Sequence, residues 1–299
     1  MKYIISVIFS LAILGLFLIG CESISDSEPV SDALYSTGEI SGAGTLSGEI
    51  TQEMCKKDPG WKALGFRNLG QCIRFVAAGK DSRPPDNDIT VMDIDGNVYQ
   101  TVTIGNQVWM AENLRTTRYS DGTPIMTGLS NEDWVNTQDG AYAIYPYSQV
   151  DGLCSNEEVV AAYGNLYNWY AVDDSRGLCP TGWQVPSDEE WTMLTDYLGG
   201  IDVAGGKMKS TQTYPDPHPR WNSPNTDANN ESGFSALPGG SRFSFGNYDY
   251  VGTDGFWWSS TEYDTDYAWS RYLDHNDSAA WAPEYVKMYG FSVRCLRDE

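Results

Sequence analysis

The residues best suited by type and spacing to contact a ligand are aromatic side chains near the C-terminus. From Phe256 onward they alternate with Asp, Ser and Asn. Flat aromatic rings bury a large area at little cost in rotamer freedom, and polar residues between them can hydrogen-bond hydroxyl groups. This combination suits binding of a polysaccharide or of a surface protein. The candidate contact residues are Trp257, Trp258, Tyr263, Tyr267 and Trp281.

The same aromatic residues could instead fill the hydrophobic core. Adjacent residues of a strand point to opposite faces of the sheet. We therefore expect one of Trp257 and Trp258 to face away from the core. Both interpretations of the aromatic residues stay open at the level of the sequence.

Oxygen ligands for a metal ion concentrate in the segment 225–231. Asp227, Asn229 and Glu231 are candidate ligands there, because Ca²⁺ is bound by carboxylate and amide oxygens. The same side chains could equally form local Asx turns that hold an irregular backbone, and this interpretation is favoured. We expect no cofactor, with a structural calcium ion as the alternative.

The other residues with chemical potential have structural explanations. Ser187 and Glu190 have the spacing of a capping box, which accounts for the carboxylates of residues 188–190 without catalysis. His218 and His275 lie in stretches rich in Asp, Asn and Pro, so we expect them to be exposed loop residues. No residue is assigned a catalytic role.

The charge balance excludes several classes of partner. The chain of 299 residues carries 41 acidic and 19 basic side chains, a formal net charge of −22. It therefore has no reserve of cations to neutralise phosphates, and we expect no nucleic acid partner. Electrostatic attachment to an anionic membrane face is excluded for the same reason.

The first 21 residues indicate export. An apolar run follows Lys2 and ends in Leu18-Ile19-Gly20-Cys21, which resembles the lipobox of bacterial lipoproteins. The resemblance implies a signal peptide over residues 1–20 and acylation of Cys21, and two or three acyl chains give a stable anchor. We therefore expect a lipid-anchored, extracytoplasmic protein at the outer membrane or cell surface, with the membrane as its partner through the anchor.

Three segments are predicted to separate the anchor from the main domain. Residues 21–50 are rich in Ser, Gly and acidic residues without an apolar period, which favours a flexible tether. The segment 51–80 is too short to build a core alone, and we expect a disulfide between Cys55 and Cys72 to staple it. The Pro-Pro pair within residues 81–88 predicts a linker.

The main domain is expected over residues 89–299. Asp95-Gly96 and Gly105-Asn106 separate β-rich runs and predict two tight turns in a three-stranded meander. Helical spacing of aromatic residues predicts a short helix over 163–172. A second helix is predicted to begin at the capping box and to stop at Gly199-Gly200.

Several longer motifs of this domain point to one family. They lie at residues 102–113, 163–172, 177–191, 231–240, 257–261 and 290–298. Together they resemble the Fibrobacter succinogenes major paralogous domain family, which is similar to the formylglycine-generating-enzyme and C-type-lectin-like folds. The resemblance implies an α+β domain with two short helices, antiparallel sheets and a long irregular region before the final sheet.

The resemblance also implies a disulfide between Cys179 and Cys295. With Cys21 acylated, five cysteines are left, so one thiol is expected to stay free or to pair outside the chain. Cys154 is then the cysteine left over.

Two classes of function follow from the resemblance and the aromatic residues. Formylglycine-generating enzymes hold Cu(I) with a pair of thiols, and after Gly200 this chain offers Cys295 alone. The favoured function is therefore a lipid-anchored recognition or adhesion module that binds a polysaccharide or a surface protein through exposed aromatic residues. The alternative is an extracytoplasmic enzyme of the formylglycine-generating-enzyme-like fold, with a chemistry that the residues do not identify.

Overall fold

The computed structural model describes residues 90–298. Among these residues, no helix combines the length and the apolar character needed to cross a bilayer. Several sequence predictions lie outside the described residues: the signal peptide 1–20, acylation of Cys21, the tether 21–50, the segment 51–80 with its Cys55–Cys72 disulfide, and the linker 81–88.

Two tight turns occur where the sequence predicts them. Strands β1 (Val91–Met92) and β2 (Val98–Tyr99) pair antiparallel across Asp95-Gly96. Strands β3 (Thr101–Ile104) and β4 (Gln107–Met110) pair across Gly105-Asn106. Gly96 and Gly105 have φ angles of 85° and 61°, which glycine adopts without a steric penalty.

The predicted three-stranded meander is wrong, because β2 and β3 belong to different sheets. β3 and β4 form a four-stranded sheet of order β3-β4-β13-β7 with β7 (Trp183–Gln184) and β13 (Leu296–Arg297). The chain turns away from β2 at Gln100. The Gln100 amide donates to Glu112 Oε1 at 3.0 Å and its carbonyl accepts from Ala111 at 2.8 Å, so these groups are not available to a β2 ladder.

The predicted helix over 163–172 is also wrong, because three short elements replace it. Helix α1 (Asn131–Asn136) and strand β5 (Tyr142–Ala143) come first, and helix α2 (Asn156–Tyr163) then ends at Gly164. Strand β6 (Leu166–Tyr167) pairs with β5, and helix α3 (Trp169–Val172) follows. Gly164 has a φ of 80°, and a Cβ there would lie 2.8 Å from the Cβ of Asn113. The helix therefore stops where the backbone must turn left-handed.

The second predicted helix is confirmed as α4 (Asp188–Tyr197). Ser187 Oγ accepts from the Glu190 amide at 3.2 Å, and Glu190 Oε2 accepts from the Ser187 amide at 2.7 Å, which completes the capping box. Gly199 and Gly200 have φ angles of 105° and 99° and separate α4 from helix α5 (Ile201–Met208).

A five-stranded sheet follows the long irregular region that spans residues 209–238. Its strand order is β12-β11-β10-β8-β9, with β10 parallel to β8 and the other pairs antiparallel. The strands are β8 (Gly239–Arg242), β9 (Tyr248–Val251), β10 (Asp254–Glu262), β11 (Tyr267–Asp274) and β12 (Glu284–Val286). β10 lies at the centre of this sheet.

Hydrophobic cores cover both faces of β10, which overturns the expectation that one of Trp257 and Trp258 faces away from the core. The two indoles point to opposite faces, and neither is exposed. Trp257 packs with Phe234 in one core, whereas Trp258 packs against Phe291 in the other, with ring centroids 4.5 Å apart. A central strand between two cores buries alternate residues equally well.

One predicted disulfide is present among the described residues. Cys179 and Cys295 form a bridge with an S–S distance of 2.01 Å, as the family resemblance implies. The bridge ties the segment before β7 to the segment before β13. Cys154 is disulfide-bonded as well, which corrects the expectation that it is the cysteine left over.

The described residues therefore form a fold that mixes short helices with sheets. It has five α-helices where the resemblance implied two, and the longest of them has ten residues. Antiparallel pairing predominates, and the long irregular region precedes the five-stranded sheet as expected.

Candidate functional site

The five predicted aromatic contact residues occupy three different environments. Trp257 and Trp258 are completely buried and offer no ring face at the surface. Tyr263, Tyr267 and Trp281 are between 37% and 51% exposed. Only these three can contact a ligand directly in this structure.

Tyr263 and Tyr267 lie together at the tip of the β10–β11 hairpin. The Tyr263 amide donates to the Tyr267 carbonyl at 2.9 Å, and the Tyr263 ring packs edge-on against Trp269 at 5.1 Å. Trp281 is paired with Tyr272, five residues further along β11, or about 17 Å away at the usual rise of a strand. The structure therefore separates Trp281 from the two tyrosines.

Trp281 instead adjoins a different set of rings, and those that the β8–β9 hairpin contributes to it were not singled out from the sequence. Trp281 and Tyr272 exchange main-chain hydrogen bonds of 2.9 Å, so their side chains project from the same face of the sheet. The Tyr272 ring stacks on Phe256 at 5.0 Å. We call the following group the aromatic face: Phe243, Phe245, Tyr250, Tyr272, Tyr285 and Trp281.

The rings of the aromatic face connect through Phe256. Tyr250 and Tyr285 contact the Phe256 ring at 6.2 and 5.8 Å, and Phe256 itself stacks on buried Phe291 at 4.8 Å. Phe243 contacts Tyr250 at 5.6 Å. The contacts form a continuous path of rings from the core to the surface, and the core side of that path holds the exposed rings in place.

The outer end of the aromatic face is built by the β8–β9 hairpin. Phe243 stacks on Phe245 at 5.0 Å, and Phe245 is 57% exposed. The Phe243 amide donates to the Asn247 carbonyl at 2.7 Å, which closes the turn through Gly246. Tyr250 has a φ of 71°, a conformation that costs about 1–3 kcal/mol for a residue other than glycine and brings this ring toward Phe243 and Phe256.

A sequence signal for this hairpin exists. Aromatic residues alternate with polar ones at Phe243 and Phe245 and again at Tyr248 and Tyr250, around the turn-forming pair Gly246-Asn247. Such alternation around a turn predicts a hairpin with rings projecting in pairs. The pattern would have identified the outer part of the aromatic face.

Carboxylates lie beside the rings of the aromatic face. The Tyr272 hydroxyl is 2.9 Å from Asp254 Oδ1 and 3.1 Å from Asp274 Oδ2, and Trp281 Nε1 donates to Asp277 Oδ2 at 3.0 Å. Burial raises the pKa of Asp254, against the hydrogen bonds from Thr253 and Tyr272, which lower it. The arrangement combines apolar ring faces with hydrogen-bond acceptors, as recognition of a hydroxylated ligand requires.

The candidate calcium ligands form local turns instead of a preassembled cluster. Asn229 Oδ1 accepts from the Glu231 amide at 2.9 Å, which is the predicted Asx turn, and Glu231 pairs with Lys207 at 2.9 Å. Asp227 has a left-handed backbone with a φ of 54°. Within residues 90–298, no group of three or more His, Cys, Asp or Glu side chains is placed to hold a metal ion.

The two histidines are half-buried, which corrects the prediction that they are exposed loop residues. His218 Nδ1 lies 2.6 Å from the Tyr163 hydroxyl, and its Nε2 contacts the main-chain oxygen of Asp151. His275 Nδ1 lies 3.1 Å from the Ser223 carbonyl. Both ring nitrogens of His218 are occupied, so this residue fastens loops together and has neither nitrogen free for a substrate proton.

The remaining chemically interesting groups have structural partners. Glu190 completes the helix cap as predicted, and Asp188 also binds Arg271 at 2.5 Å, a contact that the sequence did not indicate. Cys295 is completely buried and bonded to Cys179. A thiol of Cys295 is therefore not available as a copper ligand in this structure.

Comparison with known families supports the resemblance seen in the motifs. A sequence model described as the Fibrobacter succinogenes major domain matches residues 102–297, from β3 to the last residue of β13. Comparisons with curated proteins and with solved structures gave no match. Because the matched span covers more than half of the 299 residues, the chain belongs to the Fibrobacter succinogenes major domain family.

Proposed function

We propose that this protein is a recognition or adhesion module that binds a polysaccharide through the aromatic face. The observation that carries the proposal is the continuous path of rings from buried Phe291 to the exposed rings of Phe245 and Tyr250, with exposed Trp281 joined to Tyr272 by main-chain hydrogen bonds. Isolated exposed apolar residues are common on proteins, whereas a connected and supported set of rings is not.

The buried rings behind the aromatic face favour a role of its exposed rings in ligand binding. Phe256 is 4% exposed and contacts Tyr250, Tyr272 and Tyr285, so these rings are already ordered before a ligand arrives. An ordered surface loses little conformational entropy on binding. Sugar rings present flat C–H faces to such rings and hydroxyls to the neighbouring carboxylates of Asp254 and Asp274. A protein with exposed aromatic residues is the alternative partner.

The proposed location rests on the N-terminal sequence. The lipobox-like end of the apolar run supports acylation of Cys21 and attachment to the outer membrane or cell surface. The Cys179–Cys295 disulfide is typical of proteins outside the cytoplasm. The helix-and-sheet fold and its long irregular region support a C-type-lectin-like architecture, in which the tether 21–50 holds the domain away from the membrane.

Binding assays with the full-length protein test the proposal. We expect a polysaccharide pull-down to retain the protein, and we expect Trp281→Ala and Phe245→Ala to reduce retention at least tenfold without a change in melting temperature. Tyr197→Ala is the matched control, because Tyr197 is an exposed ring on α4, which packs on the opposite face of the sheet. Retention that the Trp281 and Phe245 variants preserve would contradict the proposal.

A further inference from the structure

The aromatic face lies in a strongly acidic part of the chain. Residues 243–286 contain eight Asp or Glu side chains and a single Lys or Arg, Arg271. Arg271 is buried and paired with Asp188 on α4, so its charge is directed to the other face of the sheet. Arg242 at the end of β8 and Lys287 after β12 are also buried, over Trp134 and beside Glu262 respectively. The exposed rings therefore have acidic neighbours and no exposed basic neighbour from these strands.

Two carboxylates beside the rings compete for one proton donor. Tyr272 Oη has one hydrogen, yet it lies within hydrogen-bond distance of both Asp254 and Asp274. Only one of the two bonds is made at a time. The other carboxylate then keeps only its second donor, which is the Thr253 hydroxyl at 2.8 Å for Asp254 and the Asn276 amide at 2.7 Å for Asp274. Asp254 is only 6% exposed.

Two basic side chains near these carboxylates bind main-chain oxygens. Lys209 is completely buried, and its Nζ donates to the main-chain oxygens of Asp274 and Asp277 at 2.9 and 2.6 Å. His275 is bound to the Ser223 carbonyl. The hydrogen-bond donors to the Asp254 and Asp274 carboxylates are the Thr253 and Tyr272 hydroxyls and the Asn276 amide, none of which carries a charge. A cationic ligand group would therefore add a charge that these donors lack.

Aromatic faces and carboxylates together form a favourable environment for a cation. A ring attracts a positive group above its face, and the contribution grows when water is excluded. On the aromatic face, Tyr272 and Trp281 each supply a ring with a carboxylate in hydrogen-bond contact. A protonated amine above these rings would gain both interactions at once.

The rings of the aromatic face form a row that runs across the strands of the sheet. Tyr250 on β9 and Trp281 beside β11 are separated by four strand spacings, or about 19 Å across the sheet. A row of this length fits a polymer with repeating rings better than it fits one short side chain. This extent favours a polysaccharide over a lysine side chain of a protein.

We propose that the aromatic face recognises an amine-bearing polysaccharide, in which sugar rings stack on the row of aromatic residues and protonated amino groups meet the carboxylates of Asp254, Asp274 and Asp277. This inference rests on the proposed function, since it names the class of ligand for the same surface. The charge of the surface rejects acidic polymers by repulsion.

The test compares two oligomers that differ only in the amine. Full-length protein is titrated with a hexamer of glucosamine and with the hexamer of N-acetylglucosamine, at pH 6 and low salt. We expect the glucosamine hexamer to bind at least tenfold more tightly, and we expect most of this preference to disappear in 0.5 M salt. The salt titration uses the unmodified protein, so it does not depend on a variant that folds.

Variants then locate the effect. Asp254→Asn combined with Asp274→Asn is expected to reduce the preference for the amine at least fivefold, whereas Glu189→Gln, an exposed carboxylate on α4, should leave it unchanged. Equal affinity for both hexamers would overturn the proposal for amines and leave the proposed function standing. Equally tight binding of oligolysine would overturn the assignment to a polysaccharide. If neither hexamer binds and no neutral polysaccharide binds, the proposed function itself is overturned.

Discussion

The guanidinium of Arg294 stacks on the ring of Phe234, with its carbon 4.2 Å from the ring centroid, and the whole Arg294 side chain is buried. Its nitrogens donate to Asn113 Oδ1 at 3.0 Å and to the main-chain oxygens of Phe234 and Ser235. Burial lowers the pKa of Arg294 to about 9. One buried cation thus joins the segment before β13 to the irregular region 209–238.

Replacing this cation should destabilise the domain. Arg294→Met removes the donors and leaves the carbonyls of Phe234 and Ser235 buried without partners, so we expect a loss of about 3 kcal/mol in the free energy of unfolding. Urea denaturation measures the change. Arg297→Met at an exposed position of β13 is the control and should change stability little. Equal losses in both variants would contradict the role assigned to Arg294.

Lys209 should make the stability of the domain depend on pH. Burial lowers the pKa of Lys209 from 10.5 to about 8 in the folded state. Between these pH values the unfolded chain binds more protons than the folded chain, so stability should rise with pH by up to about 1 kcal/mol per unit. We expect Lys209→Met to remove this rise in denaturation curves recorded from pH 7 to 10. The same slope in both proteins would show that Lys209 keeps its proton.

The capping box of α4 makes a measurable local contribution. Ser187→Ala removes the acceptor for the Glu190 amide, and we expect a loss of about 1 kcal/mol in the free energy of unfolding. Ser187→Asp retains an oxygen at the same position and should recover most of the loss. Thermal denaturation of both variants separates loss of the cap from a general effect of substitution.

The Cys179–Cys295 bridge should contribute strongly to stability, because it closes a loop of 116 residues. Opening a loop of this size is expected to lower the free energy of unfolding by about 4 kcal/mol, because the unfolded chain regains conformational entropy. The double variant Cys179→Ser/Cys295→Ser, compared with the unmodified protein in urea, measures the cost. A double variant as stable as the unmodified protein would contradict this expectation.

Peptide mapping without reduction is expected to find Cys154 in a disulfide. The other two described cysteines bond to each other, so the remaining candidates in the chain are Cys21, Cys55 and Cys72. If Cys154 bonds to one of these three, an acylated Cys21 and a Cys55–Cys72 disulfide cannot both be present, because the sulfur bonded to Cys154 is no longer available for either. The mapping therefore tests both N-terminal predictions in one experiment, and a free Cys154 thiol would contradict the structure.

The features that the sequence predicts correctly depend on neighbouring residues. The turn at Gly105-Asn106 and the capping box at Ser187 need only a few consecutive residues with suitable conformations or side chains. The helix predicted over 163–172 failed because Gly164 must approach Asn113, a residue distant in sequence. The spacing of apolar residues along the chain does not predict such a long-range contact.

The aromatic face also depends on contacts between residues that are distant in sequence. The sequence identifies Trp281 as a contact residue, but the neighbours of Trp281 come from β9, β10 and β11, whose order in the sheet is a long-range property. Adjacency in sequence predicted that one of Trp257 and Trp258 faces outward, but both are buried because the strand that carries them has a core on each side. Burial of both faces of a strand depends on which elements cover it.

The position of β13 makes the four-stranded sheet depend on residues far apart in sequence. β13 contains Leu296 and Arg297 and lies between β4 and β7, so it alone joins the β3–β4 hairpin to β7. Removing these two residues would therefore break the sheet in its middle, whereas loss of an edge strand would only narrow it.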